Sequence, residues 1–274
     1  MTDTTALLTT ARALARETGQ LIIDGRANAA VHDTKSSDSD IVTQMDLAAE
    51  KLLRERLAAL RPGDAILGEE GDFAPGTSGI TWVLDPIDGT VNYLYGLPHF
   101  AVSVAAVSGP PQSGQWTALA GAVCDGTGTV WSAGAGLGAF KDGEPLTRTQ
   151  GPALAGTLLA TGFQYVPERR ARQGQIAAAM LDQVRDIRRL GAAAVDLCLV
   201  AAGHLDAYYE HGLNAWDFAA GALIAQEAGV RVANIDGGPP DERLVIAAMP
   251  EVWQELRDAL VSAGADRTWD PPNL

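Results

Sequence analysis

The chain has 274 residues, 47% of them hydrophobic, and a formal net charge of −14. This length and composition allow a sizeable packed core and exclude a largely disordered body. The negative charge argues against a general nucleic-acid-binding protein, because phosphate contacts need clustered lysine and arginine. A small anionic substrate stays possible, since bound divalent cations would reverse the local field.

The compartment is predicted from what the sequence lacks. No apolar run approaches the ~18 residues that a membrane helix needs, and the first residues lack the basic and apolar regions of a signal peptide. Cys124 and Cys198 lie in apolar contexts and are predicted to be buried free thiols, as in a reducing environment. We therefore expect a cytoplasmic protein with no membrane partner.

The first part of the chain predicts two helices and a short strand. Apolar residues at helical spacing predict one helix over residues 4–24 and another over residues 43–60. Residues 28–43, between them, are interpreted as a polar connector. Residues 65–67 predict a strand that delivers Glu69 and Glu70.

An apolar run over residues 80–84 predicts a buried strand. Asp85 comes at its end, and Pro86 is expected to stop the strand pairing because proline has no N–H. Asp88 follows three residues later, and Gly89 and Thr90 lead into a new segment. Two carboxylates beside the N–H groups of this turn suit hard cations next to a phosphate. An ordinary aspartate-rich turn is the alternative.

The remaining elements predict two parts of different architecture. Alternating residues predict antiparallel strands over 99–107, 117–124, 129–132 and 137–140, after two helices, which is an α+β arrangement. Further on, strands (158–160, 205–210, 230–233, 244–247) alternate with helices (168–181, 191–202, 214–228, 251–263). We expect an N-terminal α+β part over 1–150, a C-terminal α/β part over 151–265 and a loose tail over 266–274.

Three motifs in order carry a family resemblance. Residues 85–92 read Asp-Pro-Ile-Asp-Gly-Thr-Val-Asn, residues 68–70 read Gly-Glu-Glu, and residues 216–221 read Trp-Asp-Phe-Ala-Ala-Gly. Together they resemble the inositol monophosphatase family of magnesium-dependent, lithium-sensitive phosphatases, over residues 35–248. The resemblance implies a layered α/β sandwich of αβαβα type. It also implies a single compact unit with the site between its two parts, and a homodimer.

The resemblance implies two or three Mg2+ ions per subunit. Glu69, Asp85 and the Ile87 carbonyl would bind the first ion, while Asp85, Asp88 and Asp217 would bind the second. Glu69 would also help to hold a third ion through waters. Asp217 at a helix start can equally be a plain N-cap.

The same resemblance implies a catalytic set. Asp46 and Thr90 would orient and deprotonate the attacking water, although a carboxylate in the first turn of a helix can also serve the helix dipole. Glu69 binds metal in this set, Glu70 is a supporting carboxylate, and Lys35 would lie on a flap beside the metals or in a solvated loop. The N–H groups of Gly89 and Thr90 would bind the phosphate.

The substrate pocket is implied by residues from both parts. Glu210 would bind substrate hydroxyls, and residues 191–193 would line the same pocket. Many relatives carry threonine or serine where this chain has Ala192, so one hydroxyl is missing. The substrate-binding residues that the resemblance implies are Asp88, Gly89, Thr90, Gly191, Ala193, Glu210 and Asp217.

Several functions stay open on these residues. The first is hydrolysis of inositol-1-phosphate, and histidinol-phosphate phosphatase is the alternative, because Glu210 would also suit a cationic amine. A bisphosphate phosphatase would need a second anion pocket, for which Arg185, Arg188 and Arg189 are candidates. These arginines could equally form a solvated or dimer-facing edge. Binding to the transcription machinery, a role of some family members, is the non-catalytic alternative.

Overall fold

The computed structural model describes residues 3–28, 31–34, 41–110 and 112–267. The predicted flap around Lys35 and the tail beyond residue 267 lie outside these ranges. The helices within them are α1 (Thr4–Gly25), α2 (Gln44–Leu60), α3 (Thr90–Tyr95), α4 (Pro167–Met180), α5 (Ala193–Ala201), α6 (Ala215–Glu227) and α7 (Pro250–Ser262).

The strands form one small and two larger sheets. Seven strands make the first large sheet in sequence order: β3 (Ala65–Gly68), β4 (Ile80–Asp88), β5 (Ala101–Ser108), β6 (Thr117–Asp125), β7 (Val130–Gly134), β8 (Gly138–Lys141) and β9 (Glu144–Leu146). The second has the order β11-β10-β12-β14-β13, from β10 (Leu158–Thr161), β11 (Asp186–Arg188), β12 (Ala207–Glu210), β13 (Arg231–Ala233) and β14 (Val245–Ala248). The small sheet pairs β1 (Val31–Thr34) with β2 (Ile41–Thr43).

The two faces of the seven-stranded sheet pack against different helices. On β4, Trp82 and Leu84 point into a core shared with α1 and α2, while Val83 points into the core that contains α5 and α6. This alternation follows from the two-residue period of a strand. Helices α5 and α6 pack against each other and lie next to the five-stranded sheet, with α4 and α7 beyond it. The layers are therefore α, β, α, β, α, and the predicted fold class is confirmed.

Strand β4 differs from the prediction at its carboxyl end. Instead of stopping at Asp85, it runs on to Asp88, with Asp85 opposite Ser103 and Asp88 opposite Ala101. The register shifts between these two pairs, which is a β-bulge. Pro86 lies in this bulge, where a missing N–H costs no ladder hydrogen bond. The prediction that the strand ends there was wrong.

Other differences concern short strands. Part of the expected polar connector forms β1 and β2, which pair antiparallel, and β9 and β11 were not predicted. The two cysteines are buried free thiols, as predicted. In the described part of the chain, no helix has the length and apolarity needed to cross a bilayer.

Candidate active site

Asp85 lies at the centre of a group of acidic side chains. It is 1% exposed, and its Oδ1 has no hydrogen-bond partner within the described residues. Burial raises the pKa of Asp85 well above its usual range, and the negative charges of Glu69, Asp88 and Asp217 raise it further. A buried carboxylate oxygen without a partner lowers the stability of the folded state. A bound cation or a hydrogen-bond donor at this oxygen would remove that cost.

Glu69 reaches Asp85 because β3 and β4 are parallel neighbours. The Glu69 N–H donates to the Leu84 carbonyl at 3.2 Å, which keeps the segment after β3 beside β4. Glu70, the next residue, is held by helix α2, because its N–H donates to Glu50 Oε2 at 2.7 Å. Glu50 is itself buried and paired with Arg54 at 2.7 Å. This pairing fixes the turn that carries Glu69.

Asp217 approaches the same group from the first turn of α6. Its Oδ2 accepts a hydrogen bond from the Asn214 N–H at 2.6 Å, in a capping box. Burial raises its pKa well above the usual range, followed by the charges of Glu69 and Asp88. Asp217 therefore caps its helix and faces the acidic group at once, so the two interpretations of this residue are compatible.

Asp88 connects the signature loop to the second part of the chain. Its Oδ2 accepts a hydrogen bond from the Ala194 N–H at 2.7 Å, at the start of α5. Burial raises the pKa of Asp88 to about 8, although the N–H groups of Ala194 and Ala193 oppose the shift. Gly191 precedes this helix with φ +92°, a conformation suited to glycine. The predicted pocket residues 191–193 thus lie beside Asp88.

The Asp46 and Thr90 side chains meet as the resemblance implied. Thr90 Oγ1 lies 3.2 Å from Asp46 Oδ1 and 2.9 Å from the Ile87 carbonyl oxygen, and its single proton can go to either acceptor. Asp46 also caps α2, since its Oδ2 accepts from the Thr43 N–H at 2.8 Å. Burial raises the pKa of Asp46 to about 6. At neutral pH this carboxylate is still largely ionised and can accept a proton.

Glu210 lies at the end of β12 and accepts a hydrogen bond from the Tyr208 hydroxyl at 2.7 Å. Burial raises its pKa to about 7, against the lowering effects of Tyr208 and of the positive Arg189. A Cβ at Gly162 would collide with Glu210 Oε2, so a larger residue there would force this carboxylate out of its observed position. No local pattern in the sequence indicated this contact.

We expect Gly162→Ala to lower the free energy of unfolding by about 1–3 kcal/mol, because the added methyl displaces the half-buried Glu210 carboxylate and disrupts its hydrogen bond with the Tyr208 hydroxyl. Gly174→Ala is the matched control: this glycine lies within α4 with open space around its Cβ position. It should raise stability by about 0.5–1 kcal/mol. Urea unfolding of both variants measures the difference. Equal stability of Gly162→Ala and the parent protein would show that Glu210 moves aside freely.

Asp196 is a further acidic residue near the site that the sequence analysis missed. It is 1% exposed on α5, and its Oδ1 has no hydrogen-bond partner in the described part of the chain. Burial raises its pKa well above the usual range, followed by the charges of Glu210 and Asp88, while Arg189 lowers it. One acidic residue in the otherwise apolar helix Ala193–Ala201 was the available signal.

The three candidate arginines do not converge on a second anion site. Arg185 donates to the Gly156 carbonyl at 2.9 Å, and Arg188 pairs with Asp186 at 2.6 Å. The Arg189 guanidinium lies against Gly191, where a Cβ would collide with its Nη1. Of the three, Arg189 is therefore the one that faces the pocket.

The donor set fits an oxygen-preferring divalent cation. The Asp85 oxygen without a partner and the mutual repulsion of four carboxylates supply both ligands and negative charge. Across the described ranges, however, no three His, Cys, Asp or Glu side chains already surround a common point in a metal-binding arrangement. Closing around an ion would require the carboxylates to rearrange.

Comparison with known proteins gives consistent results. The model of the inositol monophosphatase family matches residues 3–264. Inositol-1-monophosphatase SuhB of Mycobacterium tuberculosis is 50% identical over 237 residues, 82% of this chain and 80% of that protein. A solved structure of Mycobacterium tuberculosis SuhB covers 97% of this chain and 100% of its own, with a TM-score of 0.82 and 44% identity. Nus factor SuhB of Escherichia coli is 35% identical over 260 residues, 90% of this chain and 95% of that protein.

Fold and site together define a layered αβαβα protein with clustered carboxylates at the carboxyl ends of two parallel strands. The chain belongs to the inositol monophosphatase family, a generally metal-dependent family. The family predicted from the three motifs is confirmed.

Proposed function

We propose that the protein is a Mg2+-dependent phosphomonoesterase that hydrolyses inositol-1-phosphate to inositol and phosphate. The observation that supports this best is the partnerless oxygen of Asp85 in the described chain, buried among three further carboxylates. The hydroxyl of Thr90, at the start of α3, and the carboxylate of Asp46, in the first turn of α2, lie beside this group. The name of the Mycobacterium tuberculosis relative points to the same substrate.

We assign the predicted ligands as a proposal. Glu69, Asp85 and the Ile87 carbonyl would hold one Mg2+, and Asp85, Asp88 and Asp217 another, with Glu69 contributing to a third. When bound, Mg2+ would neutralise the phosphoryl oxygens and make a water more acidic. Oxygen donors of this kind are the ligands that Mg2+ prefers.

The protein's own residues would handle the proton and the phosphate. The Thr90 hydroxyl, held between Asp46 and the Ile87 carbonyl, would orient the attacking water, and Asp46 would receive its proton through Thr90. Glu70 would support Glu69, and Lys35 lies outside the described residues. The N–H groups of Gly89 and Thr90, at the start of α3, would bind phosphate oxygens.

Thr90→Val is expected to lower kcat about 100-fold or more with little change in KM, since it keeps the shape of the side chain but removes the hydroxyl. Thr90→Ser should retain most of the activity, because the hydroxyl and its two acceptors remain. Steady-state phosphate release from inositol-1-phosphate measures both variants. Equal kcat values for the valine and serine variants would remove the hydroxyl from the mechanism.

The alternative substrate, histidinol phosphate, has two observations in its favour. Asp196 and Glu210 are both acidic and near each other, and Ala192 has no hydroxyl to offer a polyol. Two carboxylates would suit a cationic amine on the leaving group. The arginine positions offer little support for a bisphosphate substrate, because two of the three arginines are paired elsewhere.

Three further predictions go with the proposed function. We propose that residues 1–150 carry all the metal ligands except Asp217, that residues 151–265 carry the leaving-group pocket, and that the protein is a homodimer in the cytoplasm. Light scattering of the purified protein tests the dimer.

The Escherichia coli relative is called a Nus factor, so a role in transcription is a second candidate function. An Asp88→Asn variant would abolish an enzyme-dependent phenotype but leave a binding-only phenotype intact.

Phosphate release from a substrate panel tests the proposed function. The panel contains inositol-1-phosphate, histidinol phosphate, fructose-1,6-bisphosphate and 3′-phosphoadenosine 5′-phosphate, each with Mg2+ and with or without Li+. Lithium-sensitive turnover that favours inositol-1-phosphate is expected. Preference for histidinol phosphate would make Ala192 and Asp196 the residues to exchange. No turnover of any of the four would contradict the catalytic assignment.

A further inference from the structure

The Asn92 side chain joins the two halves of the site. It is 6% exposed and belongs to α3, the short helix that follows Gly89. Its amide nitrogen donates one hydrogen bond to the His99 carbonyl and one to the Leu190 carbonyl, both at 2.7 Å. A side-chain amide has two hydrogens on this nitrogen, so both are used. The second bond connects residues 98 positions apart in the sequence.

The surrounding backbone is shaped to let this amide in. Gly191 follows the Leu190 carbonyl, and a Cβ at Gly191 would lie 3.0 Å from the Asn92 nitrogen. On the other side, a Cβ at Gly89 would lie 2.9 Å from the His99 carbonyl oxygen and 3.0 Å from the Gly191 carbonyl oxygen. Both glycines have positive φ, at +85° and +92°. The phosphate-binding turn (Gly89 and Thr90) and the pocket loop (residues 190–194) therefore come into contact at Gly89 and Gly191. Asn92 lies about one helical turn after Gly89.

Helix α3 is also fixed at its far end. Arg26, just after α1, donates to the Tyr93 carbonyl at 3.1 Å and to the Asn92 carbonyl at 3.2 Å. Its guanidinium lies 4.7 Å from the ring centre of Phe100. Arg26 therefore holds the backbone of α3 in place. Because the Asn92 side chain is part of α3 and donates to the Leu190 carbonyl, it holds Leu190 at a fixed position relative to this helix.

A second direct link between the two loops is the hydrogen bond that Asp88 accepts from the Ala194 N–H. In the proposed function this carboxylate would also bind a cation, so its charge would be shared. The Asn92 amide is neutral, and its two donated hydrogen bonds go to backbone carbonyls. It can hold the pocket loop in the same place with or without metal.

We propose that Asn92 is a positioning residue that sets the leaving-group pocket, residues 190–194, in register with the phosphate-binding turn, and so determines substrate selectivity. This inference rests on the proposed function. A substrate that uses the pocket should suffer from its loss, because misplacement of a reacting group by about 1 Å can cost about 100-fold in rate. A substrate whose leaving group makes no hydroxyl contacts should suffer less.

The test uses Asn92→Leu, which keeps the size of the side chain but removes both donors. The matched control is Asn234→Leu, because Asn234 is also buried and its amide donates to Asp241 in a turn of the other sheet. Inositol-1-phosphate is compared with p-nitrophenyl phosphate, whose leaving group has no hydroxyl. In Asn92→Leu we expect kcat/KM for inositol-1-phosphate, divided by kcat/KM for p-nitrophenyl phosphate, to fall about tenfold or more. Most of this change should come from a higher KM for inositol-1-phosphate. The ratio should not change in Asn234→Leu.

A second readout does not depend on activity. Hydrogen exchange of the Ala192, Ala193 and Ala194 amides should be faster in Asn92→Leu than in the parent protein and unchanged in Asn234→Leu. Unchanged exchange, or an equal loss of activity on both substrates, would overturn the proposal. A parent protein inactive on both substrates would instead contradict the proposed function, and the exchange data would still decide the structural claim. If Asn92→Leu does not fold, Asn92→Ser replaces it in both measurements.

Discussion

Asp85→Asn is expected to lower kcat/KM on the order of 1000-fold and, in the absence of metal, to raise the melting temperature. Activity should fall because Asp85 is the carboxylate that both proposed ions share. Stability should rise because a neutral amide replaces a buried acid whose ionisation is opposed by burial and by the charges of Glu69, Asp88 and Asp217. The new amide can also donate a hydrogen bond to a neighbouring carboxylate such as Glu69, which Asp85 cannot do when ionised.

Phosphate release with Mg2+ and thermal unfolding with EDTA at neutral pH measure the two effects. Asp206→Asn is the matched control. Asp206 is a satisfied carboxylate, with Arg148 at 3.0 Å and the Leu158 N–H at 2.9 Å. Its replacement should lower the melting temperature and leave kcat unchanged. A lower melting temperature for metal-free Asp85→Asn would show that the Asp85 carboxylate is stabilising as it stands.

A higher melting temperature for Asp85→Asn and a lower one for Asp206→Asn would identify the acidic group as a functional feature that lowers the stability of the metal-free protein. Functional sites often carry groups that the fold alone would not favour. The Asp85 oxygen, which has no partner among the described residues, is the structural expression of this conflict. A bound cation would remove it, because opposite charge replaces the missing donor.

Much of the fold was predictable because long elements carry a clear period. Helix α1 and helix α2 each show several turns of apolar residues at helical spacing, and both were predicted to within about two residues at each end. Strands β1, β9 and β11 have only three or four residues, too few to show an alternation. Their pairing depends on neighbouring strands, so local patterns could not reveal them.

The candidate site was predictable where its residues occur in motifs. Asp85 and Asp88 lie in the last four residues of a strand, Glu69 follows another strand, and Asp217 lies in the first turn of a helix, so each position carries a local signal. The contacts that hold the site are different. Asn92 with Leu190, and Gly162 with Glu210, join residues distant in sequence, and nothing local distinguishes them from ordinary polar or small residues.

The bulge at Pro86 shows where local rules stopped being sufficient. Proline lacks an N–H, and this correctly indicated a break in the ladder. The rule could not show that the strand resumes at Asp88, because that depends on the position of Ala101 on the partner strand. The bulge places Asp85 and Asp88 on the same strand, on either side of the irregularity.

The metal-free protein is expected to lose stability as the pH rises from about 5.5 to about 8, and Mg2+ to restore it. Burial raises the pKa of Asp46 to about 6, of Glu210 to about 7 and of Asp88 to about 8. In the unfolded chain these acids have lost their protons by about pH 5. Between those values the folded state binds more protons than the unfolded state, so each rise in pH favours unfolding. The contribution is complete below the unfolded pKa and is lost as the pH passes through the folded pKa.

Melting temperatures in EDTA and in saturating Mg2+, at about pH 5.5 and about pH 8, test this. The EDTA sample should melt about 5 °C lower or more at the higher pH. The gain in melting temperature from Mg2+ should also be larger there, because at the lower pH the ion must displace protons from the carboxylates. Ordinary surface carboxylates are already ionised across this range. Burial lowers the pKa of His211, which contributes with the opposite sign below about pH 6.5, but this one group is outweighed by the three acids. A melting temperature in EDTA that stays constant or rises with pH would contradict the assignment of these raised pKa values to the site.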